Sequence, residues 1–253
     1  MLAIDIGNSR LKWALFESGH VLEHNAFAYD LSSLEELMDA ASLAQKANEI
    51  FISSVADDEV NKKVSKTLLS RTGNVIEFAQ TKQSELGVVN SYVEPEKMGV
   101  DRWLAMLSAF NHVSRPAENA VCMIDCGTAI TFDLLAQDGR HLGGLIMPGF
   151  SLMQESLSNE TSNINESFVH GRLVLPDMKL ACATRESVQQ GSMHLIVNGL
   201  KGIVGQAFED MGGEMSCVIT GGDGQWVSDR LGLECIHEPL LVLHGLNLVF
   251  NNK

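Results

Sequence analysis

Residues Leu2–Phe16 read LAIDIGNSRLKWALF, and residues Cys122–Ala136 read CMIDCGTAITFDLLA. In both stretches an apolar run leads to an Asp, Asp5 or Asp125, and a Gly follows two residues later. A β-rich run that meets a turn signal and then resumes is typical of a tight hairpin, here with a carboxylate at its mouth. Two such hairpins half a chain apart predict a duplicated α/β fold with two domains and a cleft between them.

The bulk properties of the chain limit its size class and its partners. Its 253 residues suffice for one large domain or two ordinary ones, and the repeated hairpin favours two. The net charge of −14 speaks against nucleic-acid binding, which needs a basic surface to displace counterions from phosphate. The five cysteines lack metal-site spacing, and no signal peptide or membrane-spanning segment is evident, so we expect a cytoplasmic protein with reduced thiols and no membrane partner.

Strands and helices are predicted to alternate through the first domain, for which we expect residues 1–117. A helix at Met98–Phe110 has Asp101 and Arg102 in its first turn. A carboxylate at this position stabilises a helix by about 0.3–1 kcal/mol, which explains Asp101 without any catalytic role. The other elements expected here are a third strand at Val21–Ala28, a helix from Ser33 with a capping box to Glu36, a strand at Glu49–Val55, a helix at Asp57–Arg71 and a strand at Val75–Ala79.

The second domain is expected to span residues 118–253, after a joint at Ser114–Asn119. Apolar residues bracketed by Gly143, Gly144 and Gly149 predict a strand between two places where a ligand can approach the backbone closely. The remaining elements are a helix from Phe150, a mobile loop at Ser158–Gly171, a long helix at Arg185–Met211 with Thr184 as its N-cap, a strand at Cys217–Thr220 that ends in a glycine turn, and a last helix at Pro239–Phe250 that packs back on the first domain.

The two hairpin turns, Gly7-Asn8-Ser9 and Gly127-Thr128-Ala129, are candidate phosphate sites. Because glycine has no Cβ, phosphate oxygens can approach the backbone amides around it. Asp5 and Asp125 would repel a polyphosphate unless a cation such as Mg²⁺ lies between them. Lys12 either reaches the same phosphates or is a solvated strand residue, and the sequence favours neither interpretation.

Phosphoryl transfer to a hydroxyl also needs a proton acceptor. Asp101 is the candidate base, and Arg102 is the candidate for holding an anionic group on the substrate or phosphate. The sequence lacks the P-loop, dinucleotide-binding, zincin and nucleophile-elbow motifs, so those classes of site have no support.

Five short motifs give the chain a family resemblance. They are D-x-G-N-[ST]-x-x-K at Asp5–Lys12, G-x-D-R at Gly99–Arg102, D-x-G-T-A-x-T at Asp125–Thr131, G-G-x-I-x-P-G at Gly143–Gly149 and T-G-G-D at Thr220–Asp223. With these motifs in this order, the sequence resembles type III pantothenate kinases, of the acetate and sugar kinase/Hsp70/actin superfamily. The resemblance implies a duplicated ribonuclease H-like (actin-like ATPase) fold, with two domains whose mixed sheets surround a central nucleotide cleft.

The resemblance also implies an activity, the ATP-dependent phosphorylation of pantothenate in the first step towards coenzyme A. It implies Asp101 as the proton acceptor, together with Mg²⁺ and a monovalent cation, K⁺ or NH₄⁺, held by Asp125. It further implies a homodimer with substrate near the subunit interface. The ATP contacts that it implies are Asp5, Ile6, Gly7, Asn8, Ser9, Arg10, Leu11, Lys12 and Thr128, and the pantothenate contacts are Tyr92, Gly99, Val100, Asp101, Arg102 and Thr184.

Two departures from the family pattern and two alternative functions stay open. Ser9 stands where threonine is usual, which keeps the hydroxyl, and Val100 stands where alanine is common, which adds bulk beside the candidate base. The chain is alternatively a nonenzymatic accessory factor of transcription on the same fold, or a kinase of the superfamily for another small hydroxyl substrate. The charge of −14 weighs against direct DNA contact by such a factor.

Overall fold

The computed structural model of the chain divides into two compact units. It describes residues 1–28, 47, 49–113, 119–160 and 178–252. Three predicted features lie outside these residues: the helix from Ser33, all but the last residue of the joint at Ser114–Asn119, and the predicted loop from residue 161 onwards. The first unit comprises Met1–Glu118, Leu135–Gly143 and Leu240–Lys253, and the second comprises Asn119–Leu134 and Gly144–Pro239.

The sheet of the first unit has five strands: Leu2–Ile6 (β1), Arg10–Glu17 (β2), His20–Ala28 (β3), Glu49–Ser54 (β4) and Val75–Phe78 (β5). Their order is β3-β2-β1-β4-β5. The first three strands form an antiparallel meander, whereas β4 pairs in parallel with β1 and β5 in parallel with β4. Parallel neighbours need a crossover connection, and the helix Asp58–Thr72 (α1) supplies it between β4 and β5.

Both faces of this sheet are covered, which explains why β1 is apolar along nearly its whole length. On the opposite face from α1, the helices Val100–Ser108 (α2) and Leu241–Asn251 (α6) pack on the sheet and on each other. A Cβ at Gly245 would lie 2.2 Å from the carbonyl oxygen of Leu104, so the glycine allows α6 to approach α2 closely. The core on the α1 face contains Leu2, Ile4, Ile6, Leu11, Trp13, Leu15, Ile50, Ile52, Val60, Val64 and Leu68.

The ends of the first-unit helices follow local chemistry. The helix predicted at Asp57–Arg71 begins at Asp58, because the Asp57 carboxylate accepts the Val60 N–H at 2.9 Å and caps it. The helix predicted at Met98–Phe110 begins later, because a 3₁₀ turn at Pro95–Lys97 comes first and Gly99 is the N-cap. Its last residues widen into a π-helical turn at Ala109–Val113. A short ribbon of Ser84–Glu85 (β6) and Val88–Val89 (β7) completes the unit.

The sheet of the second unit repeats the design of the first. Its strands are Ala120–Cys126 (β8), Ala129–Leu135 (β9), His141–Pro148 (β10), Met215–Thr220 (β11) and Ile236–His237 (β12). Their order is β10-β9-β8-β11-β12, with β11 parallel to β8 and β12 parallel to β11. Counted along the chain, the five strands of this sheet have the same spatial order, 3-2-1-4-5, as those of the first sheet. The duplication predicted from the two hairpins is therefore confirmed.

The helices of the second unit are Phe150–Glu160 (α3), Thr184–Asp210 (α4) and Gly224–Leu231 (α5). Two predictions need correction. Ala183, not Thr184, is the N-cap of α4: its backbone is extended and its carbonyl oxygen accepts the Ser187 N–H at 2.8 Å, so Thr184 is already helical. Ser158 and its two successors, predicted to begin a loop, complete the last turn of α3. Among the described residues, no helix combines the length and the apolar character needed to cross a membrane.

Candidate functional site

The first hairpin places an acidic and a basic side chain side by side. Asp5 on β1 lies opposite Lys12 on β2, and on its other side Asp5 is in register with Ser53 on β4. Asp5 is only 6% exposed, Ser53 is fully buried and Lys12 is partly buried. Lys12 thus lies on the strand next to a buried carboxylate, and its assignment to phosphate stays a prediction. Sequence reasoning missed Ser53, because register between distant strands leaves no local signal.

The turn of this hairpin is closed by its own glycine. The Gly7 N–H donates to the Arg10 carbonyl oxygen at 3.0 Å, and Asn8, Ser9 and Arg10 are exposed. Because the Gly7 N–H already donates a hydrogen bond within the turn, any phosphate contact here has to come from the exposed residues Asn8, Ser9 and Arg10. Two of the nine predicted ATP contacts, Ile6 and Leu11, have side chains in the hydrophobic core, which leaves only their backbone groups for a nucleotide.

Asp101 lies in the first turn of α2 but does not cap it. One of its carboxylate oxygens, Oδ1, accepts the N–H of the next residue, Arg102, at 2.8 Å, and the N-cap Gly99 offers no side chain. A Cβ at Gly99 would lie 2.5 Å from the same Oδ1, so the carboxylate occupies space that only a glycine leaves open. The carboxylate is partly buried, and Val100 beside it is buried at 9% exposure, so Val100 faces the interior of the unit.

Buried Arg102 and partly buried Tyr92 form a pair within the first unit. Nη1 of Arg102 donates to the Tyr92 hydroxyl oxygen at 2.9 Å, and the guanidinium carbon lies 5.7 Å from the centre of the Tyr92 ring. Arg102 is 7% exposed. A guanidinium held by an aromatic ring is preorganised to receive a carboxylate. The structure therefore brings together two residues that sequence reasoning assigned to the substrate site.

The second hairpin has the same kind of turn. The Gly127 N–H donates to the Ala129 carbonyl oxygen at 3.0 Å, and Thr128 is exposed. Gly149, after β10, donates its N–H to the Thr128 carbonyl oxygen at 2.9 Å, and a Cβ at Gly149 would lie 2.3 Å from the carbonyl oxygen of Gly127. The sequence predicts that a ligand can approach the backbone closely at Gly149, but the backbone of the hairpin turn occupies that position.

Asp125 lies at the junction of β8 with the glycine turn that follows β11. A Cβ at Gly221, where φ is +92°, would lie 2.4 Å from Asp125 Oδ1, and the Asp223 N–H donates to the Cys126 carbonyl oxygen at 2.9 Å. Thr220 is in register with Asp125 and 1% exposed, and its hydroxyl has no hydrogen-bond partner among the described residues. A carboxylate beside a buried hydroxyl is a donor set that suits a hard cation.

Thr184, the remaining predicted pantothenate contact, belongs to the second unit. It is exposed in the first turn of α4 and lines a groove of about 1130 Å³ whose other walls include Leu152, Leu157 and Leu195. The other five predicted contacts, Tyr92 and Gly99–Arg102, belong to the first unit. Within the described residues, no group of three or more His, Cys, Asp or Glu side chains is arranged to hold a metal ion.

Comparisons with solved structures identify the fold. The chain is similar to a Campylobacter jejuni protein described as a Baf family transcriptional activator, with a TM-score of 0.58, 18% identity and 100% and 98% of the two chains covered. It is also similar to the activator of 2-hydroxyisocaproyl-CoA dehydratase from Clostridium difficile, with a TM-score of 0.51, 11% identity and 99% and 94% covered. With the repeated strand order, these likenesses confirm the predicted α/β, actin-like ATPase fold of two sheet-containing halves.

Comparisons of sequence identify the family. The family model for type III pantothenate kinases matches residues 1–206. A protein named type III pantothenate kinase from Nitrosococcus oceani is 32% identical over 248 residues, which cover 97% of this chain and 92% of the relative. One of the same name from Alcanivorax borkumensis is 32% identical over 251 residues, with 98% of each chain covered. The chain therefore belongs to the type III pantothenate kinase family.

Proposed function

We propose that the chain phosphorylates the hydroxyl of pantothenate with ATP, in the first step of coenzyme A biosynthesis, and that Asp101 accepts the hydroxyl proton. The observation that carries the proposal is the cluster of Gly99, Asp101, Arg102 and Tyr92 in a chain of this family. It combines a partly buried carboxylate that is not used as a helix cap with an adjacent guanidinium. A proton acceptor and an anion receptor are what an acceptor substrate with a hydroxyl and a carboxylate requires.

Each residue of this cluster has a distinct role in the proposed mechanism. Arg102, fixed by Tyr92, binds the pantothenate carboxylate and so orients the hydroxyl. The carboxylate of Asp101 takes the hydroxyl proton as the oxygen attacks the γ-phosphorus. The backbone N–H of Arg102, which donates to Asp101 Oδ1, fixes the direction of the base. Positioning and charge thus account for most of the expected rate enhancement.

The residues assigned to ATP and cations fit those groups. Asp5–Lys12 and Thr128 are the proposed ATP contacts, with Lys12 beside Asp5 as the basic group. Mg²⁺ neutralises charge on the transferred phosphoryl group when it is bound, and Asp5 is our candidate for holding it directly or through water. K⁺ or NH₄⁺ is assigned to Asp125, where the orphaned Thr220 hydroxyl and the close approach of the Gly221 backbone to the Asp125 carboxylate support a cation.

The other expected properties are part of the same proposal. Pantothenate contacts at Tyr92, Gly99–Arg102 and Thr184 and a homodimer follow from the family resemblance. Two domains that meet at about residue 117 follow from the repeated hairpin and the joint at Ser114–Asn119. A cytoplasmic location is supported by the five cysteines, which are free thiols. The net charge of −14 supports the absence of a nucleic-acid partner, and we expect no membrane partner.

The decisive experiment is a substrate panel. The folded protein is incubated with ATP, Mg²⁺ and K⁺, together with pantothenate or other small hydroxyl acceptors, and ADP release and phosphorylated product are measured. We expect product with pantothenate only. Turnover with another acceptor but not pantothenate would favour a different kinase of the superfamily. No turnover with any acceptor would favour an accessory factor, the role in the description of the Campylobacter jejuni protein of similar fold.

A further inference from the structure

A buried histidine lies against Tyr92 of the proposed pantothenate site, directly after the turn that joins β9 to β10. The turn is closed by the Ala136 N–H, which donates to the Arg140 carbonyl oxygen at 2.9 Å, and His141 begins β10 directly after it. Although it follows an exposed turn, His141 is only 3% exposed. Nothing in the sequence singled it out, since a lone histidine is more often a core residue than a functional one.

The turn itself is fixed against the segment that carries Tyr92. The Val89 N–H donates to the Gly139 carbonyl oxygen at 3.0 Å. A Cβ at Gly139, where φ is +82°, would lie 2.1 Å from the Gly87 carbonyl oxygen, so the two backbones are in direct contact. The position of His141 relative to residues 87–92 is therefore set by backbone contacts and does not depend on the histidine side chain.

His141 contacts this segment in two ways. Its Nδ1 lies 2.9 Å from the Ser91 hydroxyl oxygen, within hydrogen-bond distance. Its ring stacks on the ring of Tyr92, with 6.3 Å between the ring centres and 26° between the planes. Tyr92 in turn accepts the hydrogen bond of Arg102. The Tyr92 side chain therefore contacts an imidazole ring and a guanidinium.

We propose that His141 is a positioning residue of the acceptor site: by stacking on Tyr92 it holds that ring, and through it the guanidinium of Arg102, in the orientation that receives the carboxylate of the acceptor. The inference rests on the proposed function for the identity of the acceptor. Asp101 is fixed separately, by the Arg102 N–H and by the space at Gly99. Loss of His141 therefore weakens acceptor binding while leaving proton transfer in place.

The kinetic test compares His141→Ala with His141→Phe. An aromatic contact contributes enough that the alanine variant should raise the KM and the Kd for pantothenate about three- to tenfold. The KM for ATP and kcat should stay within about twofold of the wild type. The phenylalanine variant keeps a ring that stacks on Tyr92 and should recover most of the pantothenate affinity. His24→Ala, at an exposed position of β3, is the matched control and should change nothing.

A spectroscopic test does not depend on activity. The chain has only two tyrosines, Tyr29 and Tyr92, so 3-fluorotyrosine labelling gives two ¹⁹F signals that Tyr92→Phe assigns. His141→Ala should shift or broaden the Tyr92 signal, and His141→Phe should shift it less. If the alanine variant does not fold, the phenylalanine variant still has to show this ¹⁹F effect.

The outcomes separate the two proposals. A wild-type protein without activity on pantothenate overturns the proposed function, and the ¹⁹F spectra then decide only the contact of His141 with Tyr92. An active wild type with an unchanged pantothenate KM in His141→Ala overturns the positioning role. The positioning role is also overturned if kcat and the KM for ATP change as much as the pantothenate KM, because a general structural defect is expected to affect all three.

Discussion

The Asp101 carboxylate occupies the space that a side chain on residue 99 would need: a Cβ at Gly99 would lie 2.5 Å from Asp101 Oδ1. The backbone at Gly99 has φ −54° and ψ 133°, a conformation that alanine adopts without strain. Gly99→Ala should therefore fold and yet displace the carboxylate. Since a misplaced catalytic group costs about a hundredfold in rate per ångström, we expect kcat to fall about ten- to a hundredfold.

For Gly99→Ala, kcat is measured to test the displaced carboxylate, and the melting temperature is measured to show that the variant folds. Gly202→Ala is the matched control, because a Cβ at Gly202 in α4 would meet no atom within 4 Å. We expect the control to keep kcat and to gain about 0.5–1 kcal/mol of stability from better helix propensity. An unchanged kcat in Gly99→Ala would show that the direction of the Asp101 carboxylate does not limit turnover.

Asp101→Asn tests the chemistry of the same carboxylate. The amide keeps an oxygen that can accept the Arg102 N–H, but it cannot take a proton from the substrate. We expect kcat to fall about 10²- to 10⁴-fold, with pantothenate binding, measured by calorimetry, nearly unchanged. Glu96→Gln, an exposed carboxyl in the preceding 3₁₀ turn, is the control. Wild-type turnover in Asp101→Asn would remove Asp101 from the role of base.

Local sequence patterns predicted the parts of the molecule that are themselves local. The two hairpins, the helix that starts near Asp57 and the glycine turn after Thr220 depend on neighbouring residues, and the structure contains all of them. The α4 cap was misplaced by one residue, because side-chain preference favours Thr184 whereas backbone geometry makes Ala183 the cap.

Features that depend on pairing between distant strands left no sequence signal. Ser53 comes beside Asp5 only through the parallel register of β4 with β1. His141 reaches Tyr92 only because Gly139 in the β9–β10 turn is in backbone contact with Gly87, shortly before Tyr92 in the chain. A single sequence shows the order of such residues but not which of them become neighbours.

The proposed cation site at Asp125 predicts a dependence on the type of monovalent ion. Turnover in Na⁺ should be several-fold lower than in K⁺ or NH₄⁺, and Asp125→Asn should remove the difference. Thr220→Val keeps the volume of the side chain but removes the buried hydroxyl, so a higher K⁺ concentration should be needed for half-maximal rate. K⁺-dependent thermal stabilisation is the second readout. Equal rates in Na⁺ and K⁺ would argue against the site.

Gly221→Ala should destabilise the second unit. The new Cβ would lie 2.4 Å from Asp125 Oδ1 and 2.5 Å from backbone atoms of Cys126, in a left-handed conformation that alanine disfavours. Overpacking and backbone strain together should lower the free energy of unfolding by about 3 kcal/mol. Gly232→Ala shares the positive φ, at +66°, but has open space around its Cβ. In the same urea titration, Gly232→Ala should lower the free energy of unfolding by about 1 kcal/mol. If both variants lost the same free energy, backbone strain alone would explain the effect of Gly221→Ala.

Thiol reactivity should separate the cysteines. The pKa of Cys217 is raised above its usual value, chiefly by a hydrogen bond with Cys122, and the pKa of Cys235 is raised by its hydrogen bond to Cys217, at 2.9 Å, and by burial. A raised pKa means less thiolate at a given pH, and thiolate is the reactive form. We expect a fast reaction of exposed Cys182 with an aromatic disulfide reagent and a slow phase that accelerates as the pH rises.

Mass spectrometry assigns the two phases of this reaction. Cys182→Ser should remove the fast phase and leave the slow one intact. Modification of Cys235 as fast as that of Cys182 at pH 8 would contradict the raised pKa.

The arrangement of the first unit has a consequence for synthesis. Phe16 on β2 and Phe51 on β4 pack against His244 and Phe250 of α6, with ring centres 5.6 Å and 6.0 Å apart. The ribosome makes these strands early and α6 only after the whole second unit. The aromatic face of the first sheet therefore lacks the α6 part of its cover until the second unit has been translated. We expect this face to attract chaperones on the nascent chain and the first unit to finish folding after the second.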